Sequence, residues 1–180
     1  MFIDETGLLL LPLLKRTLAP QGHTPVQKHR ARQRDKVSVA AALALASAGW
    51  PTFSRLRLIC QTYPYAHINA AKTATFLRKV LRQLPGPVIV IWDRGNMHKG
   101  DEIREVLQEH PRLAIEFLPP YAPELNPTEY LWTHTKGEEL ANFAPRNVPE
   151  LEARLWPILR SAQRSPRRLR SFLLQSPLFQ

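Results

Sequence analysis

Three acidic side chains occupy places in this sequence from which they could do chemistry together. Asp93 stands at the exit of the apolar run Val88-Ile89-Val90-Ile91-Trp92, a strand pattern. Glu129 stands just inside Asn126-Pro127-Thr128-Glu129, where a capping amide and a proline open a helix. Asp4 lies within Phe2-Ile3-Asp4-Glu5-Thr6-Gly7, which reads as a strand already under way. If the strands carrying Asp4 and Asp93 are neighbours, the two carboxylates lie side by side and Glu129 can close the cluster. Three carboxylates in one pocket repel strongly unless cations neutralise them. Magnesium suits such a site, because it takes oxygen ligands, keeps waters and bridges phosphates. A pair of such ions about 3.5–4 Å apart can activate an attacking hydroxyl and stabilise a leaving oxygen at phosphorus. Taken singly, each acid has an ordinary explanation. Asp93-Arg94-Gly95-Asn96 is turn composition, Glu129 is favourable in a first helical turn, and Asp4 is a polar residue near a chain end.

The elements that must position these acids follow from periodicity and punctuation. A polar, basic stretch runs from Lys15 to Lys36, with Pro20, Gly22 and Pro25 as turn residues. Lys28, Arg30, Arg32 and Arg34 within it are candidate phosphate contacts, set against the alternative of a solvated loop. Val37, Val39 and Ala41 alternate within Lys36 to Ala46, favouring a strand over a helix, and Phe53 to Cys60 alternates as a third strand. A helix is expected over Ala70 to Leu84, capped by Asn69 and stopped by Pro85-Gly86. Val88 to Trp92 is continuously apolar, as in a strand buried on both faces. A second helix begins near Asp101, Leu113 to Leu118 is a fifth strand, and the final third is helical with an interruption around Phe143 to Pro149. This order predicts an α/β fold in one domain over residues 1–180. An antiparallel meander followed by parallel βαβ crossovers gives a mixed five-stranded sheet flanked by helices.

A formal net charge of +10 asks for a polyanionic partner. Nucleic acid leads over anionic membrane, because clustered Lys and Arg displace counterions from phosphates and no basic amphipathic helix with a polar face stands out. Cys60 is the only cysteine, which excludes an intrachain disulfide and a thiolate zinc site; beside Leu58 and Ile59 it reads as a small buried hydrophobe. No apolar run reaches membrane-spanning length, and Asp4 and Glu5 stand where a secretory leader would be basic. A cytoplasmic protein is expected.

Three blocks carry a family resemblance. Phe2-Ile3-Asp4-Glu5-Thr6-Gly7, Ile91-Trp92-Asp93-Arg94-Gly95-Asn96-Met97-His98, and the long segment from Leu118-Pro119-Pro120-Tyr121 through Asn126-Pro127-Thr128-Glu129 to Trp132 resemble signature segments of bacterial insertion-sequence transposases in the mariner-related DDE superfamily. Thirty-five residues lie between Asp93 and Glu129, close to the spacing that superfamily uses. The resemblance covers essentially the whole chain as a catalytic domain. It implies an RNase H-like fold, with Asp4, Asp93 and Glu129 as a catalytic triad binding two Mg²⁺ or Mn²⁺ ions. It implies hydrolysis at a transposon end, then attack by the freed 3′-hydroxyl on target DNA, typically at a TA dinucleotide. Glu124 and Glu5 are expected to have no metal duty, and Glu5 points away from Asp4 if the strand is regular. Asn96, His98, Tyr121 and Lys136 are further candidate DNA contacts. His98 could instead pack at a helix entry, and Tyr121 could stack on a base or pack beside Pro120. Trp132 is expected to be core packing that anchors the helix bearing Glu129.

Members of that family usually carry an N-terminal helix-turn-helix region that recognises transposon ends, whereas this sequence starts at the first catalytic strand. The expectation is a split reading frame, with a separate helix-turn-helix polypeptide supplying recognition, or a truncated remnant that only holds DNA through its basic surface. A stand-alone RNase H-like nuclease is the other alternative, and the long third block favours transposition over it. Bringing two ends together implies a homodimer by analogy. A bacterial protein acting on DNA would work at the nucleoid.

Overall fold

The computed structural model describes residues 1–26, 35–46, 56–93 and 100–180. Its strands are β1 (Phe2–Leu9), β2 (Lys36–Leu45), β3 (Leu56–Pro64), β4 (Val88–Trp92) and β5 (Leu113–Phe117). They form one sheet in the order β3-β2-β1-β4-β5. β1, β2 and β3 are antiparallel neighbours, β4 runs parallel to β1, and β5 runs parallel to β4. This is the mixed five-stranded sheet that the sequence predicts.

Helices cover both faces. On one face α1 (Ala70–Gln83) and α2 (Asp101–Glu109) pack Phe76, Leu77, Val80 and Val106 against Ile3, Ala42, Val90 and Trp92. Asn69 caps α1 as expected, its side-chain oxygen accepting from the Lys72 amide. On the other face lie α3 (Pro127–His134), which runs into a π-helical turn at Thr135–Glu139, then α4 (Val148–Gln163) and α5 (Pro166–Gln175). They pack Leu131, Leu155, Leu159 and Phe172 against Val37, Val39, Leu43 and Cys60. Burial pushes the Cys60 thiol up to about 12, so it behaves as the buried hydrophobe that its neighbours indicate. No helix among the described residues is long and apolar enough to cross a membrane.

Three local expectations change. β3 does not end at Cys60 but runs on to Pro64, because Gln61, Thr62 and Tyr63 keep pairing with β2. The polar Thr62 is tolerated there because its hydroxyl donates to Glu152 Oε1 at 2.7 Å. β4 is not buried on both faces: Ile89 is 55% exposed. The second helical layer covers β1 to β3, and a run apolar at every position carries no sign of which face is left bare. Finally, α4 begins at Val148, inside the expected interruption. Asn147 accepts from the Glu150 amide at 2.8 Å, and Pro149 sits in the first turn, where its missing N–H costs nothing.

Candidate active site

The parallel pairing of β1 with β4 decides where the acids meet. Phe2 is the register partner of Ile91, and the Ile91 amide donates to the Met1 carbonyl at 2.7 Å. Two residues further on come Asp4, within β1 on the face of Phe2, and Asp93, one residue past the end of β4, and both line one cleft. That face is the one under α3. Ile3 and Trp92, one residue back, turn to the opposite core. Glu5 also falls on the opposite face by alternation, and its charge is felt by Tyr63, which packs on the α1 side.

α3 is fastened to β1 by its own first residues. Asn126 caps the helix, its oxygen accepting from the Thr128 amide at 3.1 Å, while its Nδ2 donates to the Ile3 carbonyl at 3.1 Å. Thr128 Oγ1 donates to the Phe2 carbonyl at 3.4 Å. Trp132, two per cent exposed, donates its indole Nε1–H to Asp4 Oδ2 at 2.7 Å. Three side chains of one helix thus bond three consecutive residues of one strand. The spacing of Glu129 from Asp4 is set by these buried bonds. Sequence reasoning assigns Trp132 to packing alone and misses this bond. The available signal is that a buried indole N–H needs an acceptor, and an acid on the strand beneath can supply it.

Asp4, Asp93 and Glu129 line one open cleft of about 360 Å³, walled by Leu118, Pro119, Pro120, Tyr121 and Pro123. Its electrostatics are those of crowded acids. Burial raises the Asp4 carboxyl to about 8, with the charges of Glu129 and Glu5 adding to the rise; the bonds from Trp132 and the Glu5 backbone oppose it. Burial also raises Glu129, with Lys136 opposing the rise and Asp93 adding to it. Among the described residues, no group of three His, Cys, Asp or Glu side chains stands in finished metal-holding geometry. The fit to a cation is therefore one of charge and oxygen chemistry around a shared cleft, not of a completed coordination shell. Such an environment gains by accepting a hard cation in place of protons.

The other candidates divide cleanly. Tyr121 is fully exposed on the cleft wall and holds a left-handed backbone, φ 59°, which is unusual for a bulky residue. Lys136 acts on Glu129 through its charge, but it lines a separate apolar groove with Leu9, Leu13 and Phe143. Glu124 lies exposed in a short 3₁₀ turn, Pro123–Leu125, outside the cleft lining. Asn96, His98, Lys28, Arg30, Arg32 and Arg34 lie outside the described residues.

Comparison with known proteins bears on this site. The family model described as DDE superfamily endonuclease matches residues 1–152. Among solved structures, the Mos1 transposase paired-end complex with left transposon end matches with a TM-score of 0.59 at 19% identity, over 99% of this chain and 56% of that one. The mariner Mos1 paired end complex with Mg matches with a TM-score of 0.58 at 19% identity, over 97% and 52%. The catalytic domain of Mos1 mariner transposase matches with a TM-score of 0.54 at 15% identity, over 97% and 80%. At these identities the likeness is one of fold. The chain spans little more than half the length of the full Mos1 chains it matches. No curated protein sequence matches it.

Proposed function

The chain belongs to the DDE superfamily endonucleases, and on that premise we propose that residues 1–180 form the catalytic domain of a DNA transposase with Asp4, Asp93 and Glu129 as its metal-binding acids. The observation that carries this reading is the convergence of three acids, two of them with raised proton affinity, on one cleft. The reaction class is phosphoryl transfer. Water attacks a backbone phosphorus and the bond to the 3′ oxygen breaks; the freed 3′-hydroxyl then attacks a phosphate of target DNA and displaces the 3′ oxygen of the target strand. Two divalent cations, Mg²⁺ or Mn²⁺, would supply Lewis-acid activation of the attacking oxygen and charge stabilisation at phosphorus when bound. The matched Mos1 complex with Mg supports a divalent cation for this chain as well.

The chain's own residues contribute position and shape. Asp4 and Asp93 offer carboxylate oxygens from adjacent strands, and Glu129 offers a third from the helix that Asn126, Thr128 and Trp132 hold against β1. The indole of Trp132 occupies one oxygen of Asp4 and limits its rotation. The prolines around Tyr121 stiffen a wall on which an exposed ring can stack against an extruded base. Transposon ends and target DNA are the substrates in this reading. The working unit is a homodimer at the bacterial nucleoid, completed by helix-turn-helix recognition supplied outside these residues.

Calorimetric titration of the chain with MgCl₂ and with MnCl₂, repeated on Asp4→Asn and Glu129→Gln, tests the site. Binding lost in both variants supports it, whereas binding indifferent to both removes the acids from metal duty. Asp93→Asn should abolish metal-dependent nicking of duplex DNA while DNA binding survives; full nicking by that variant overturns the reading.

A further inference from the structure

The last 28 residues, Ala153 to Gln180, contain six arginines, no lysine and no acid, so they carry +6 of the chain's formal +10. The helical spacing sorts these charges. On α4 the buried stripe is Leu151, Leu155, Ile158, Leu159 and Ala162, which leaves Arg160 and Arg164 on the outermost face, one turn apart. On α5 the buried stripe is Leu169, Phe172 and Leu173, and Arg167 lies opposite it. The two helices are separated only by Arg164 and Ser165, so Arg160, Arg164 and Arg167 follow one another across a single corner. All three are exposed, and none has an ion-pair partner among the described residues. The Arg160 guanidinium lies 5.7 Å from the centre of the Trp156 ring, a cation–π interaction that restrains the side chain without neutralising it. By contrast, Arg168 turns inward, toward Glu139 at 3.9 Å and the Ser161 hydroxyl at 3.2 Å.

This corner is not part of the acidic cleft. α4 and α5 lie over β2 and β3, and neither lines the cleft formed by β1, β4 and the start of α3. We propose that the α4–α5 corner is a second DNA-binding surface, which holds the phosphate backbone of a duplex segment other than the one entering the cleft, with Arg160, Arg164 and Arg167 as the groups that meet the phosphates. Its chemistry is sequence-independent. Guanidinium groups displace counterions from phosphates, and residues 153–180 contain no acid to repel the backbone, while the neighbouring Glu139 carboxylate faces Arg168. The choice of DNA over another polyanion rests on the proposed work of the chain on DNA.

The test measures binding of a fluorescent duplex of arbitrary sequence, roughly 30 base pairs long, by anisotropy between roughly 50 and 200 mM salt. The wild-type chain is compared with Arg160→Gln/Arg164→Gln/Arg167→Gln. The triple substitution should weaken binding at least about tenfold and reduce the slope of log K against log salt by about 2.7, at about 0.9 for each phosphate no longer neutralised. Melting of the triple variant within a few degrees of wild type keeps misfolding out of the comparison, since all three positions are exposed. Should it melt lower, Arg154→Gln, which removes one arginine from another side of α4, serves as the charge control and should lower the slope by less. An unchanged slope overturns the proposal. So does loss of binding to vesicles containing phosphatidylserine with duplex binding intact, which would assign the corner to a membrane. If the corner binds duplex but no metal-dependent nicking is found, the transposase reading fails while this surface stands.

Discussion

Asp4→Asn offers the sharpest test of how the cleft is built. Burial, with Glu129 and Glu5 nearby, moves the Asp4 carboxyl from 3.8 to about 8. Its folded value lies above its unfolded one, so between about pH 4 and about pH 8 the folded protein holds a proton that the unfolded chain has released. The resulting stability is present at low pH and is lost as pH rises through that window, by about 1.4 kcal/mol per pH unit. From about pH 5 to about pH 7 the unfolding free energy should fall by about 3 kcal/mol. For a chain of this length that corresponds to roughly 6–12 °C in Tm. Asn cannot hold this proton, yet its amide oxygen can still accept from the Trp132 indole. The variant's Tm relative to wild type should therefore climb with pH by that amount. Glu129 is shifted in the same direction and remains in both proteins, so the difference isolates Asp4. Calorimetry in chelator-containing buffers across the window measures it, followed by a repeat near pH 7.5 with MgCl₂, where only the wild type should gain Tm. A difference that stays flat from about pH 5 to about pH 8 would refute the claim that buried, crowded charge governs Asp4.

Two substitutions probe the fastening of α3. Trp132→Phe removes the donor that holds Asp4 Oδ2, a bond that lowers the acid's proton affinity. It should cost about 1–3 kcal/mol and move the Asp4 transition to higher pH, which the same calorimetric series detects; an unmoved transition would reduce Trp132 to packing. Asn126→Ala removes a helix cap and strips the Ile3 carbonyl of its partner in a buried setting, for a loss of roughly 2–4 kcal/mol in urea unfolding. A loss below about 1 kcal/mol would mean that the Ile3 bond contributes little beyond the cap.

The positions of Asp93 and Glu129 were legible because each ends or opens an element with strong local punctuation: an apolar run in one case, Asn-Pro in the other. Asp4 was harder. Its place in the same cleft as Asp93 depends on β1 lying beside β4, a long-range pairing between residues far apart in sequence that no local pattern encodes. The resemblance carried what periodicity could not. Burial was least legible where both faces of an element are apolar. The isoleucines of β4 read alike, although Ile89 is left bare by the placement of α3 to α5 over β1 to β3. Trp132 shows the complementary limit. An aromatic one turn beyond Glu129 looks like core from its spacing, and it is core, but its single polar atom bonds the first acid of the cleft.

That bond belongs to the set that holds β1 and α3 together around the crowded acids. Like charges on β1 and α3 push the two elements apart, and their repulsion adds to the rise in the proton affinity of Asp4. The hydrogen bonds of Asn126, Thr128 and Trp132 pull the same two elements together along three consecutive residues. Because all three are buried, opening these bonds would strand polar groups without water, at a cost of about 1–3 kcal/mol each. The same bonds fix the backbone of β1 beneath Asp4 and the start of the helix that carries Glu129.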